Sequence, residues 1–551
     1  MWKKYRYPLL IILLGVFFFM PHLGRVHLFD WDEINFAESA REMLATGNFS
    51  IVQIDYKPFW EKPPLFFWLQ ALSMKVFGIN EFAARFPNAI AGIVIMLVLF
   101  YTGKRFFDEK FGLYFALSYF GGWLPFIYSQ SGIIDPWFNL FMFLSVYFLL
   151  LRYTEQDRHS LRNLVLSAVF ASLATLTKGP VGVLIPALTY FFALLFYEGM
   201  RKMITVREIA VYLLTLLVVG GGWFWMLILE GKSDIIVDFI RYQIRLFATQ
   251  DAGHGGPFFY HFLVLLVGYF PLSFFAVYGM RKKMREDGLG EQQQRFSQWM
   301  FVLFWVVLIL FSIVKTKIIH YSSMTYFPIA FFSALFFYRI TDSGFRTVKW
   351  PKILTFVLAI VWTLAIVSLP WVEKHKDYLL QRGFLSDKFA AESLRTMYAG
   401  FDNFIAVNAF LLFLLIAGGL LMIKDKQKLF YTLVFASAFL LKNVMKEVVP
   451  KVEVYSQRAA IDFYRELQGK KVYVYPLGFK SYAHLFYTKK PPGMPDVSVS
   501  ELLRCQAPYP AYFVAKVNNA DEFARRYPVL KKMYAKGGFV FFEVTCNNKN
   551  Q

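Results

Sequence analysis

The stretch MWKKYRYPLLIILLGVFFFM, Met1–Met20, followed by PHLGRVHLFDWDE, Pro21–Glu33, decides the fold class. A basic start and an apolar run from Pro8 to Met20 have the outline of a secretory signal. No small-residue cleavage site follows, and acids crowd the exit instead. The run therefore reads as an uncleaved first membrane span with its N-terminus in the cytoplasm. Further apolar segments follow near 88–102, 112–129, 137–151, 163–177, 181–197 and 209–229. Others lie near 259–279, 297–314, 321–338, 353–371, 404–423 and 429–447, giving about thirteen spans in all. Composition agrees. Of 551 residues, 57% are hydrophobic and 18% charged, against roughly 25% charged in an ordinary soluble domain. This excludes a single soluble enzyme and a disordered chain, and two cysteines exclude a disulfide scaffold. A polytopic α-helical membrane protein remains.

The formal net charge is +21, from 59 Lys and Arg against 38 Asp and Glu. In a soluble protein such a balance suggests nucleic acid, but no recognition motif supports that partner. The basic residues gather in short loops: GKRFFDEK, LRYTEQDRHSLRN, YEGMRKMITVRE, GMRKKMREDG, YRITDSGFRTVKWPK and KDKQK. Each carries at least three Lys or Arg and falls on the cytoplasmic side of the predicted topology, which is the positive-inside pattern. The C-terminus then lies outside, as do the segments 21–86, 230–258 and 372–403. After Val448 hydropathy falls. Strand-like KKVYVYPL, AYFVAKV and GFVFFEV alternate with helix-like stretches such as NADEFARRYPVLKKMY. The expected division is a membrane domain over 1–447 and a small extracytoplasmic α/β domain over 448–551. Cys505 and Cys546 both lie in the latter. In an oxidising periplasm they could form a disulfide; two unpaired thiols are the alternative.

The chemistry concentrates outside. FAESAREMLATGN, Phe36–Asn48, reads as a short amphipathic helix along the membrane surface, with Phe36, Ala40, Met43 and Leu44 on one face and Gly47 as its stop. Glu33 and Glu38 read as helix-terminal carboxylates. Asp32, at the interface beside Trp31, reads as functional. In WEKPP, Glu61 and Lys62 precede two prolines that fix a helix start. There Lys62 could hold a lipid phosphate as a point charge, or form a surface ion pair of little worth. KTKIIHY offers Lys315, Lys317, His320 and Tyr321 to an anionic ligand; snorkelling of lysines to headgroups competes with that reading. Lys178 in LTKGP adds another outside cation. Asp135 in SGIIDPW enters a span in an apolar stretch, where an ionisable side chain is a functional suspect or a cap. Glu61 and His254 could share a divalent metal, Zn or Mg, although no strong ligand spacing exists.

These residues, in this order, resemble a known family. DEINFAESAREM, then EKPP, then the segment from Gly78 to Arg85 and Pro87, an Asp in a later outside loop, and LTKGP are similar to bacterial glycosyltransferases of the protein O-mannosyltransferase-related group. In particular they resemble the 4-amino-4-deoxy-L-arabinose transferases that modify lipid A. The resemblance implies a GT-C membrane fold and a polyprenyl-phosphate-sugar donor, with no nucleotide cofactor. It implies that Asp32 is the first-loop catalytic aspartate and Asp135 a second functional acid. Lys62 would hold the donor phosphate with Tyr321 nearby, and Glu61 and His254 match positions compatible with a metal. One departure stands out: Asn35 and Phe36 occupy positions where the aminoarabinose transferases carry Arg and Tyr.

The implied reaction moves a sugar to a lipid A-like or other envelope acceptor on the outer face of the bacterial inner membrane, with inversion. Lys62, supported by Lys315 or Lys317 and Tyr321, would stabilise charge on the leaving phosphate. Asp32 would deprotonate a hydroxyl acceptor or orient a phosphate one. A protein O-glycosyltransferase is the alternative within the class. A lipid-linked-sugar flippase and a noncatalytic scaffold are the rivals outside it. A flippase needs ionisable residues or broken helices at mid-membrane, whereas the ionisable residues here cluster on one face. No Walker A or GxSxG motif is present.

Overall fold

In the computed structural model, all thirteen apolar segments are helical, in one piece or two. The described residues are 2–154, 160–198, 205–248, 255–342 and 348–546. Among them, seven helices are long and apolar enough to cross a membrane, or nine if two bent pairs each count as one span. The first pair, Val206–Gly220 and Gly222–Leu229, bends by 52° at a π-turn running into three glycines. The second, Tyr260–Gly268 and Ser273–Gly279, bends by 112° about Pro271. Proline and π-turns are ordinary causes of such bends, because each removes helical hydrogen bonds.

The outward faces are those of a bilayer protein. The helix Trp350–Lys374 exposes Ile353, Val357, Val361 and Leu364 along one stripe. Water would not tolerate a stripe of that size. Inward, one aromatic-rich core runs through the bundle from Phe18 and Phe120 to Phe331 and Phe430.

The first outside segment builds its own layer. A helix spans Asp32–Thr46 and ends at Gly47, whose φ of 69° suits glycine and whose N–H reaches the Met43 carbonyl. Next comes a hairpin of β1 (Gln53–Ile54) and β2 (Lys57–Pro58), then a helix Leu65–Phe77 that starts just after Pro63 and Pro64. The Phe36, Ala40 and Met43 face is apolar as expected. The helix does not lie on the membrane surface, however: Glu33 to Met43 are all buried. Ile34, Ala37 and Ala40 share a core with Ile461, Phe463 and Phe486 of the C-terminal domain, so that domain covers the first loop.

The C-terminal domain differs from expectation in two places. The last membrane helix runs from Lys426 through Val448 to Ser456, so the domain begins near Arg458 rather than at 448. Its sheet has the order β3 (Tyr473–Leu477), β4 (Ala511–Lys516), β6 (Phe539–Val544), β5 (Leu530–Lys536), with β3 parallel to β4 and the rest antiparallel. NADEFARRY is helical within Val517–Arg526, but VLKKMY is not: it forms β5. Pro528 prevents continuation of the helix. Gly537 and Gly538, with φ of 57° and 75°, then close the two-residue hairpin that pairs β5 with β6. Cys505 and Cys546 are joined, with Cα atoms 5.8 Å apart.

Candidate active site

The site is built on a brace. The Glu33 carboxylate receives one edge of the Arg85 guanidinium bidentately, Nε at 2.9 Å and Nη2 at 2.7 Å, together with the Phe29 and Gly132 backbone N–H groups. Arg85 also donates to the carbonyls of Leu23, Val26 and His27. Burial alone would raise the Glu33 carboxyl, but the Arg85 charge and these hydrogen bonds hold it below its ordinary range. Glu33 and Arg85 therefore pin the exit of the first span. Glu38 is likewise structural: it pairs bidentately with Arg41 at 2.7 Å and is fully buried.

Asp32, the neighbour of Glu33, is directed elsewhere. It opens its helix, but the capping position belongs to Trp31, where no side chain caps. The Asp32 carboxylate lines a cavity of about 750 Å³, with Oδ2 3.6 Å from Nε2 of His320. The His320 imidazole, walled by Asp135, Lys178, Asp32 and Lys62, is held by burial below its ordinary pKa.

Lys62, Lys178, Asp135 and Tyr321 line the same cavity. The Lys62 ammonium sits 5.3 Å from the Tyr242 ring centroid, and burial lowers its pKa against the pull of Glu61 and Asp32. Lys178, at the end of helix Ser160–Lys178, places Nζ 2.6 Å from Oδ1 of Asp135 and 5.4 Å from the Tyr321 ring. Asp135 starts helix Asp135–Thr154 and takes a further contact from the Ser323 hydroxyl at 3.4 Å. Asp135 is thus neutralised by Lys178, a partner that the sequence did not pair with it. On another side, Phe311, Val314, Ile318, Met142 and Met324 give the cavity an apolar wall.

Two expected phosphate ligands are not in this wall. Lys317 is buried, and its ammonium donates to the Phe311, Ser312 and Val314 carbonyls at 3.0, 2.6 and 2.6 Å. It caps helix Glu291–Ile313 rather than facing a ligand. Lys315 is exposed and does not line the cavity. Of the expected metal pair, Glu61 lines the cavity and accepts from the Tyr242 hydroxyl at 3.1 Å. His254 lies outside the described residues. Among those residues no three His, Cys, Asp or Glu side chains group as metal ligands.

Some lining residues were not foreseen. Tyr242 and Arg245 come from helix Ser233–Ala248. Ile235, Phe239 and Tyr242 recur at four- and three-residue steps and are buried, a spacing visible in the sequence. Arg245 is the one guanidinium among the described lining residues, while Asn35 and Phe36 supply none. Phe36 packs on Phe66 and Phe67, and Asn35 is buried against Trp31.

Residues 61–225 match the family described as dolichyl-phosphate-mannose-protein mannosyltransferase. The crystal structure of ArnT from Cupriavidus metallidurans bound to undecaprenyl phosphate superposes with a TM-score of 0.75, at 16% identity, over 98% of both chains. The fold is that of a GT-C glycosyltransferase. An uncharacterized protein of Aquifex aeolicus is 28% identical over 372 residues, 67% of this chain and 69% of that one. An undecaprenyl phosphate-alpha-4-amino-4-deoxy-L-arabinose arabinosyl transferase of Edwardsiella ictaluri is 25% identical over 369 residues, 66% of this chain and 65% of its own length. The match thus spans about two thirds of these relatives. The resemblance read from the motifs is borne out.

Proposed function

We propose that this chain is a membrane glycosyltransferase that takes a sugar from a polyprenyl-phosphate donor and transfers it, with inversion, to a lipid A-like or other envelope acceptor. One observation carries the reading. A carboxylate, Asp32, and the cations Lys62 and Lys178 face a single cavity that has an apolar wall. A lipid phosphate needs both the cations and the wall. Its departure as leaving group concentrates negative charge on oxygen, which a preorganised ammonium stabilises more than the ground state. Lys62 is the first such group, with Tyr321 beside Lys178. Asp32 takes the proton of a hydroxyl acceptor or orients a phosphate one. Attack on the anomeric carbon from the side opposite the phosphate inverts its configuration. A pentose is the sugar class favoured by the relatives' names.

Connectivity supports an outer-face site. Asp135 begins a helix that ends beside Arg152, and Lys178 ends a helix that begins near Arg162. The cavity therefore lies at the helix ends opposite the basic loops, and basic loops stay in the cytoplasm. The Cys505–Cys546 bond fits an oxidising compartment. A divalent ion at Glu61 and His254 is a separate proposal. Glu61 supplies one ligand and already holds the Tyr242 hydroxyl, so no step above uses the ion. Metal analysis should find about one equivalent, lost in Glu61→Gln.

The deciding experiment uses purified full-length protein with a synthetic short-chain polyprenyl-phosphate pentose and a panel of lipid A, glycan and peptide acceptors, read by mass spectrometry. Sugar on a lipid acceptor is the expected result. Movement of the donor lipid across vesicles with no transferred sugar would replace this reading with the flippase.

A further inference from the structure

The C-terminal domain does more than cover the first loop: it supplies part of the cavity wall. The segment after β3 brings Lys480 into the lining. Its ammonium stands 4.6 Å from the Trp31 ring centroid, and Tyr482 packs on the same indole with centroids 5.2 Å apart. Trp31 directly precedes Asp32 in the chain.

Two other lysines at this junction are ion-paired. Lys57 meets Asp496 at 2.7 Å, and Lys490 meets Asp55. Among the described residues no carboxylate pairs with Lys480, which rests on the Trp31 ring. A cation held over an aromatic face, exposed to a cavity and not ion-paired to a carboxylate, is ready to receive an anion. The donor does not need it. A polyprenyl tail keeps the donor phosphate at the level of the span ends, where Lys62, Lys178 and Tyr321 lie. Lys480 arrives instead from the extramembrane domain.

We propose that Lys480 is a specificity-determining residue that holds an anionic group of the acceptor, a phosphate, beside Asp32. The domain then selects phosphorylated acceptors while the membrane helices select the donor. The assignment rests on the transferase reading above, but binding alone can test it.

The probes are a water-soluble diacylated glucosamine disaccharide carrying one phosphate and its dephosphorylated counterpart. Full-length wild type, Lys480→Ala and Lys480→Arg are titrated with each by calorimetry, then assayed for transfer from the short-chain donor. A hydrogen bond to a charged group is worth about 1.5–3 kcal/mol. Lys480→Ala should therefore weaken binding of the phosphorylated probe by roughly ten-fold or more. Lys480→Arg should keep most of that affinity, and the dephosphorylated probe should not distinguish the three proteins. In turnover, KM for the phosphorylated acceptor should rise with kcat and donor KM nearly unchanged. Equal affinities of wild type and Lys480→Ala for the phosphorylated probe would overturn the proposal. So would a rise in donor KM, or an equal loss for both probes, which would mark a merely structural role. Phosphate-selective binding by wild type without any transfer would refute the transferase reading and leave the Lys480 assignment standing on the binding difference.

Discussion

The Asp135–Lys178 pair makes a sharp demand. The ammonium lies 2.6 Å from the carboxylate, whose side chain is 3% exposed against 16% for the lysine. Replacing Lys178 by Met leaves a buried charge whose remaining described hydrogen-bond partner is the Ser323 hydroxyl at 3.4 Å, with the His320 imidazole nearby. Breaking a buried pair from one side costs about 3–5 kcal/mol, most of it the stranded charge, whereas an exposed pair is worth about 0–1 kcal/mol. Replacing Asp135 by Asn strands only the lysine, which opens onto the cavity. Its expected cost is about 1.5–3 kcal/mol, the loss of one charged hydrogen bond. Lys178→Met should therefore lower the thermal midpoint in detergent more than Asp135→Asn does, and the double variant should recover part of the loss. The same cycle applies to kcat/KM. If Asp135 acts by holding Lys178 in place, then once Lys178 is gone, changing Asp135 should cost little more. The two losses should fail to add by at least about 1 kcal/mol, well above the ~0.5 kcal/mol scatter of independent sites. Additive losses in kcat/KM, with Lys178→Met no less stable than Asp135→Asn, would refute the pairing and restore Asp135 as an independent acid.

Three further outcomes are expected. Asp32→Asn should keep expression and midpoint yet lower transfer to a hydroxyl acceptor by ~10²–10⁴-fold; near-normal turnover would reduce Asp32 to a helix-terminal charge. Lys62→Met should lower kcat by about 10²–10³-fold, the scale of removing one preorganised oxyanion partner, and weaken donor binding. Lys62→Arg should recover only part, because a planar fork does not replace a compact ammonium, and full activity in Lys62→Met would move the phosphate role to Lys178. Burial raises the Asp30 carboxyl on the cavity wall to about 6, against the Ser481 and Tyr482 hydrogen bonds and the Lys516 charge that lower it. It is ionised above that pH and neutral below it, so KM for an anionic acceptor should fall as pH drops through about 6. The ratio of wild-type KM to that of Asp30→Asn cancels titration of the acceptor itself, and a ratio flat from pH 5 to 7 would remove Asp30 from acceptor binding.

Much of the site was legible because ionisable side chains at the ends of apolar runs are conspicuous. Asp32, Lys62, Asp135 and Tyr321 stood out in this way, and all four line the cavity. The sequence could not say where a side chain points. Lys315, Lys317 and Tyr321 share one short segment, yet Lys317 spends its ammonium on three helix-end carbonyls while Tyr321 faces the cavity. Nor could periodicity say what covers an apolar face. The Phe36–Met43 face has the same pattern whether it meets headgroups or protein, and here protein covers the helix. The strand β5 was hidden because it is a basic edge strand, exposed beyond Leu530. Charged edges avoid unwanted pairing, and they also erase the alternation by which strands are read.

The covering domain changes how Asp32 should be understood. A carboxylate on a free membrane loop would sample many positions, and each ångström of misplacement lowers the rate steeply. Here the chain on both sides of Asp32 is fixed from two directions. From the membrane bundle, Arg85 grips Glu33 and the three carbonyls at the exit of the first span. From the other side, the domain's Tyr487 hydroxyl accepts from the Leu28 N–H at 2.8 Å and its Arg465 meets His27 at 3.0 Å, while at the end of the last membrane helix Gln457 donates to the Leu28 carbonyl at 2.9 Å and Glu453 meets His27 at 2.7 Å. The Asp32 segment is therefore held between the bundle and the domain, and neither alone contains all of its anchors. This also explains a pattern that looked inefficient in the sequence, where six ionisable residues crowd into Asp30–Glu42. Glu33, Glu38, Arg41 and Glu42 are buried in bonds that stiffen the segment. That leaves the two aspartates, Asp30 and Asp32, turned toward the cavity, where chemistry can use them.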